Sequence, residues 1–96
     1  MQSIKSPSLD RLFKIILDLK NVDECYEFFE DLCTVKEILD MAQRFDTAIL
    51  LDQNKNYQQI IDEVGTSTAT ISRVNKCLKY GTGGYEKAIK KLKEKV

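Results

Sequence analysis

Histidine and tryptophan are absent from this 96-residue sequence, and proline occurs once. Without histidine the chain can form neither a Ser–His nor a Cys–His nucleophile pair, and it has no imidazole to ligate a metal. The three cysteines, Cys25, Cys33 and Cys77, contain no Cys-x-x-Cys pair, which argues against a zinc site and a disulfide framework. We expect three reduced, mostly buried thiols in a cytoplasmic protein that is not an enzyme and binds no metal.

Long apolar runs are also missing. No segment approaches the roughly 18 apolar residues that a membrane span needs, so we expect neither a membrane partner nor a signal peptide. Apolar residues make up 43% of the sequence and charged residues 31%, a composition typical of a folded globular chain. The length leaves room for one small domain, so residues 1–96 are predicted to form a single helical domain.

The net charge of zero conceals an asymmetry between the two parts of the chain. Residues 1–56 carry seven basic and eleven acidic side chains, a net charge of −4, whereas residues 57–96 carry eight basic and four acidic ones, a net charge of +4. A basic half indicates a nucleic-acid partner. The alternative is that its lysines only keep the outer face of a C-terminal helix in water, and charge alone does not separate the two interpretations.

Apolar residues recur at intervals of three and four along nearly the whole chain, which is the periodicity of amphipathic helices. Pro7 suits a first helical turn, and Thr34 with Glu37 has the spacing of a capping box at the start of a long helix. No stretch alternates at period two for long enough to make a strand. The sequence therefore predicts an all-α fold.

Residues 57–78 have the layout of a helix-turn-helix. Ile60 and Val64 mark the inner face of a short helix, and Gly65 follows its end, where a positive φ is expected. Thr66 or Ser67 can then cap the next helix. The alternative is an ordinary helical hairpin with a polar outer face, but the glycine, the caps and the basic C-terminal segment together favour DNA binding.

The second helix of this motif turns Ile71 and Val74 inward and small polar or basic residues outward. A helix that enters the major groove, roughly 12 Å wide, needs small or hydrogen-bonding residues on its leading face. We expect base edges to be read from the start of this helix, and phosphates to be held by its basic residues and by the preceding helix N-terminus. The candidate DNA-binding residues are Gln58, Gln59, Ser67, Thr68, Ala69, Thr70, Ser72, Arg73 and Lys76.

Four stretches of the chain resemble the Trp repressor superfamily, and most closely its YerC/YecD group of bacterial proteins. They are Glu24-Cys25-Tyr26, Asp31-Leu32-Cys33-Thr34, Ala69-Thr70-Ile71-Ser72-Arg73-Val74 and Tyr80-Gly81 … Gly84-Tyr85-Glu86, within a similarity that covers about residues 9–93. The resemblance implies six helices in an intertwined homodimer that binds double-stranded operator DNA. It would place Tyr26, Phe28 and Phe29 in a core shared by two subunits, whereas their other interpretation is the core of a monomer.

The resemblance also implies a ligand pocket between the third helix and the recognition helix. Thr34, Arg44 and Arg73 keep the family's residue types there, whereas Val74 and Cys77 stand where the tryptophan-binding repressor has a glycine and a serine. Two arginines could hold a carboxylate or sandwich an indole. Because the valine side chain would fill the space of the indole, we expect no cofactor: an amino-acid co-repressor is conceivable, but tryptophan is disfavoured.

These observations predict a homodimeric, sequence-specific DNA-binding regulator of transcription, a repressor by resemblance, that does not respond to tryptophan. The alternative is a helical protein-interaction module without sequence-specific DNA binding.

Overall fold

The computed structural model describes residues 3–95, and these residues form six α-helices and no strand. In chain order the helices are α1 (Pro7–Leu17), α2 (Val22–Leu32), α3 (Val35–Asp52), α4 (Tyr57–Val64), α5 (Thr68–Tyr80) and α6 (Gly84–Glu94). The predicted all-α fold is confirmed, and α4 and α5 occupy the residues assigned to the helix-turn-helix. None of the helices described is both long enough and apolar enough to cross a membrane.

Side-chain caps set the beginnings of the first three helices. Ser6 accepts a hydrogen bond from the backbone of Leu9 ahead of Pro7, and Asn21 accepts one from Glu24. At α3 the Glu37 backbone N–H donates to Thr34 Oγ1 at 3.1 Å, and the Thr34 N–H donates to Glu37 Oε1 at 2.8 Å. The predicted capping box is confirmed, because these reciprocal bonds satisfy two N–H groups that a helix start leaves unpaired.

The chain divides between Ile38 and Leu39 into two units, and α3 begins in the first and continues into the second. In the first unit, no described residue of α1 or α2 is buried. The side chain of Leu17 is 84% exposed and that of Tyr26 is 61% exposed. The apolar faces of these helices are therefore surface, and a single domain over residues 1–96 stays a prediction.

The second unit has its own core, to which each of its helices contributes. Ala48, Ile60, Ile71, Val74 and Ile89 are at most 3% exposed. Around Ala48, Val74 and Ile89 pack the partly buried side chains of Phe45, Ile49, Leu51, Leu78 and Tyr85. The inward orientation predicted for Ile60, Ile71 and Val74 is confirmed, and it fixes which face of α5 remains outside.

The prediction of mostly buried cysteines is wrong. Cys25 and Cys77 are exposed and Cys33 is half-buried, and all three are free thiols. Cys25 lies on α2, none of whose described residues is buried, and Cys77 lies on α5, whose buried residues are Ile71 and Val74. Residue type alone therefore does not bury a cysteine, because its position around the helix decides whether it meets the core.

Candidate nucleic-acid interface

The turn between α4 and α5 follows directly from its residue types. Gly65 has φ +79° and ψ +24°, a left-handed conformation that glycine adopts without steric cost, and its N–H donates to the Ile61 carbonyl at 2.9 Å. Ser67 then caps α5, while Thr66 is buried in the turn. The glycine and the cap predicted at this position are therefore present.

The outward face of α5 gathers five of the candidate residues. Thr68, Ala69, Ser72, Arg73 and Lys76 are all exposed, and their spacing of about one turn places them along one side of the helix. Two cationic side chains lie beyond two hydroxyl groups along this side. This is an arrangement that suits hydrogen bonding to base edges at the start of the helix and contact with phosphates further along.

Ser67 and Thr70 serve the helix itself. Ser67 Oγ accepts from the Thr70 backbone N–H at 3.2 Å and donates to Thr70 Oγ1 at 3.1 Å. The hydroxyl proton of Ser67 is therefore used in the bond to Thr70, and Thr70 itself is half-buried. Of the residues predicted to bind DNA from the start of α5, Thr68 and Ala69 are the two most available.

The two glutamines of α4 are likewise engaged within their own helix. Asn56 and Gln59 form a capping box, in which the Asn56 N–H donates to Gln59 Oε1 and the Gln59 N–H donates to Asn56 Oδ1, both at 2.8 Å. Gln58 Nε2 donates to Asp62 Oδ1 at 2.9 Å. The cap uses the side-chain oxygen of Gln59 and leaves its NH₂ group for a phosphate, whereas the NH₂ group of Gln58 donates to the Asp62 carboxylate.

Tyr57 is a residue of this surface that sequence reasoning missed. It is the first residue of α4, its side chain is 36% exposed, and its hydroxyl lies 3.4 Å from Ser72 Oγ on the outward face of α5. The sequence signal that could have found it is a tyrosine at the first position of a short helix, three residues before the first core residue, Ile60. Periodicity alone could not place it opposite a residue fifteen positions along the chain.

The arginines of the predicted ligand pocket do lie together. Arg44 and Arg73 line a cleft of about 240 Å³ with Ala69 and Thr70. Val74 is 1% exposed and belongs to the core, so its side chain is not part of this lining. Thr34 lies in the first unit, where it caps α3, and its place in a pocket stays a prediction.

Cys77, the remaining predicted pocket residue, lies within electrostatic range of Tyr85. Burial raises the pKa of the Tyr85 hydroxyl above its usual 10.0, Cys77 raises it further, and Arg44 acts in the opposite direction. Arg44 is thus common to the cleft and to the surroundings of Tyr85. Within residues 3–95, no three Cys, Asp or Glu side chains are grouped closely enough to hold a metal ion.

A larger groove of about 610 Å³ runs along α3 and the end of α4. Its apolar lining includes Leu39, Ile49 and Val64, while the carboxylates of Asp46 and Glu63 lie at its margin. Carboxylates repel a phosphate backbone, so this groove differs in character from the outward face of α5. Sequence reasoning did not identify it.

Comparison with known proteins places these features in a wider context. The family model for the Trp repressor protein matches residues 7–93. The chain is 48% identical over 94 residues to the uncharacterized protein YerC of Bacillus subtilis (strain 168), covering 98% of this chain and 90% of that protein.

Solved structures agree with that match. The crystal structure of a TrpR like protein from Eubacterium eligens ATCC 27750 has a TM-score of 0.90 and 47% identity, covering 93% of this chain and 92% of its own. A Staphylococcus aureus protein has a TM-score of 0.91 and 43% identity, with coverages of 94% and 90%. The similarity thus extends over nearly the whole chain in both sequence and fold.

Proposed function

Because this chain belongs to the Trp repressor family, we propose that it is a homodimeric, sequence-specific DNA-binding regulator that represses transcription by occluding a promoter. The observation that carries the proposal is the exposed outward face of α5. This helix follows the Gly65 turn, and its opposite face is buried in the core through Ile71 and Val74. The net charge of +4 over residues 57–96 favours a polyanionic partner for this part of the chain.

The residues of this face divide by chemistry. Thr68, Ala69 and Ser72 would read base edges through hydroxyl groups and methyl contacts, since their side chains are short enough for α5 to approach the groove floor. Arg73 and Lys76 would hold phosphates, which sets the register of the helix without specifying sequence. Ser67 and Thr70 support this reading indirectly, by capping and fixing the first turn of α5.

The homodimer is supported by the first unit. α1 and α2 bury no described residue, and their exposed apolar side chains include Phe13, Leu17 and Tyr26. Exposed apolar area of this kind is usually covered by a partner, and a second copy of the chain offers the same surface. A dimer would also present two recognition helices to two DNA half-sites.

The first experiment is a selection of bound duplexes from a random DNA pool, run at two salt concentrations with the mass of the protein measured alongside. We expect an enriched palindrome, bound by a dimer, whose affinity falls steeply between low and moderate salt. A protein-interaction module would enrich no sequence, and its binding would respond little to salt. That second result would favour the alternative function.

The division of roles predicts different losses for two substitutions. Thr68→Ala should reduce the preference for operator over random duplex by about tenfold, because it removes a base contact. Lys76→Ala should weaken both duplexes about equally and lower the salt dependence by about one counterion, because it removes a phosphate contact. Binding isotherms on both duplexes at several salt concentrations measure these effects.

Lys95→Ala is the matched control, since it removes the same charge from the residue that follows α6. It should leave both affinities unchanged. Equal losses on the two duplexes for Thr68→Ala and Lys76→Ala alike would contradict the proposed roles.

We further propose that the protein binds DNA without tryptophan. Val74, which stands where the tryptophan-binding repressor has a glycine, packs into the core with Ala48 and Ile89, so α5 is held in the second unit by its own side chains without a ligand. Operator affinity should therefore stay constant when tryptophan or another amino acid is titrated. A tenfold gain with any of them, about 1.4 kcal/mol of coupling, would show that the protein has a co-repressor.

A further inference from the structure

We propose that Tyr57 is a specificity-determining residue of the DNA interface and that it acts with Ser72 as one hydrogen-bonding unit. This inference rests on the proposed DNA-binding function. The unit combines residues of two helices, because Ser72 lies on the outward face of α5 and Tyr57 reaches that face from the start of α4. Their hydroxyl oxygens are 3.4 Å apart.

The position of Tyr57 is fixed by the helix that carries it. The Asn56–Gln59 capping box holds the first turn of α4, and Ile60, the residue one turn after Asn56, is fully buried. Tyr57 is 36% exposed, so it lies at the surface, and its hydroxyl ends beside that of Ser72. Its hydroxyl therefore shares the surface that α5 presents to solvent.

A serine hydroxyl offers one donor and two acceptor positions, and a tyrosine hydroxyl also has one donor. When Tyr57 donates, the Ser72 proton remains for an acceptor on a base edge. When Ser72 donates, it presents only acceptors, and the Tyr57 proton is the one that remains. In both cases one hydroxyl proton of the pair remains free to donate to DNA. The direction of the Tyr57–Ser72 hydrogen bond determines which residue carries that proton.

The separation of 3.4 Å is longer than the roughly 2.7–2.8 Å of a typical hydroxyl–hydroxyl bond. The contact is therefore loose enough for a base edge or a water molecule to join it without breaking a strong bond. Ser72 without Tyr57 would rotate among its staggered orientations and discriminate poorly between donor and acceptor. Tyr57 thus favours one orientation of the Ser72 hydroxyl, and through it the base whose edge this hydroxyl can hydrogen-bond.

The test repeats the random-pool selection with four proteins: the wild type, Tyr57→Phe, Ser72→Ala and the double variant. Tyr57→Phe keeps the ring and removes only the hydroxyl. We expect it to weaken operator binding by about three- to tenfold and to relax the preference at one base position in each half-site. Ser72→Ala should relax the same position, and the double variant should be no worse than Ser72→Ala, since the two residues act together.

Tyr80→Phe is the matched control, because Tyr80 ends α5 with its side chain 77% exposed. It should select the wild-type operator. Affinity for random duplex and the urea midpoint of unfolding should be the same for all variants, which separates a reading role from a loss of phosphate contacts or of stability.

The outcomes distinguish this inference from the function on which it rests. A wild-type protein that enriches no sequence overturns the proposed function and this inference together. A wild type that enriches an operator, with Tyr57→Phe selecting it unchanged or with losses that simply add to those of Ser72→Ala, overturns the role of Tyr57 alone.

Discussion

The hydroxyl of Tyr85 has an environment that favours its neutral form. Its ring packs against the cluster of Ala48, Val74 and Ile89, and the resulting burial is the main cause of its raised pKa. Cys77 raises the pKa further because a thiolate nearby would repel a phenolate, and the Arg44 guanidinium only partly opposes this. The ionisation of Tyr85 should therefore affect the stability of the second unit at alkaline pH.

We expect Tyr85 to make the folded state less stable as the pH rises above about 10. The unfolded chain releases the proton near the ordinary pKa of 10.0, whereas the folded chain keeps it to a higher pH, so the folded state binds more protons in that range. The stabilisation is present below the unfolded pKa and is lost as the pH passes the folded one. Tyr85→Phe removes this titration.

Urea unfolding from about pH 8 to about pH 11 measures the effect. The wild type should lose more stability than Tyr85→Phe over the upper part of this range. The other three tyrosines and all the lysines are common to both proteins and so cancel in the comparison. Parallel decline of the two curves would show that Tyr85 titrates normally.

At the scale of elements, the turn between α4 and α5 depends on one backbone conformation. Gly65→Ala places a side chain at φ +79° and should destabilise the fold by about 1–2 kcal/mol, although no atom lies within 4 Å of the added Cβ. Gly84→Ala is the control, because its Cβ would meet only Thr82 Oγ1 at an ordinary 3.8 Å. It should be neutral or slightly stabilising, since alanine is the better helix former.

Urea denaturation compares the two glycine variants. Equal stabilities would mean that the turn relaxes to another conformation, and the angle between α4 and α5 would then no longer be fixed by Gly65.

Sequence reasoning predicted the elements whose causes are local. The Thr34–Glu37 capping box, the Gly65 turn and the Ser67 cap each depend on residues within four positions of one another, and all are present. The inward face of α5 was predictable for a similar reason, because helical periodicity fixes it.

The same reasoning did not show how a polar side chain is engaged within its own helix. Gln58 and Gln59 were predicted to contact phosphates on residue type, and this stays a prediction, although both side chains also bond to neighbours on α4 or at its cap. Tyr57 was missed because its partner Ser72 is brought near only by the packing of α4 on α5. Composition likewise predicted buried cysteines without showing that α2 has no core to enter.

At the scale of the whole molecule, we expect folding to depend on protein concentration. If the apolar side chains of α1 and α2 are covered by a second copy, the midpoint of thermal unfolding should rise with concentration, because only the folded state associates. Leu17→Asp, at a position 84% exposed in one chain, should shift the mass from a dimer towards the single-chain 11.1 kDa.

Lys5→Asp provides the comparison, since it introduces the same carboxylate at another exposed position before α1. It should leave the mass and its concentration dependence unchanged. Sedimentation equilibrium on the three proteins measures both quantities, and a wild type with the mass of one chain at all concentrations would contradict the dimer.

The apolar faces of α1 and α2 lie in the first unit, whereas the candidate DNA face lies entirely in the second. This separation has a genetic consequence. If the chain acts as the proposed DNA-binding homodimer, an allele that damages α5 at Arg73 would still produce chains able to associate with normal ones, and the mixed pairs would carry one competent recognition helix instead of two. In a cell that expresses both alleles the damaged one should therefore behave as dominant, while an allele disrupted at Leu17 should be recessive.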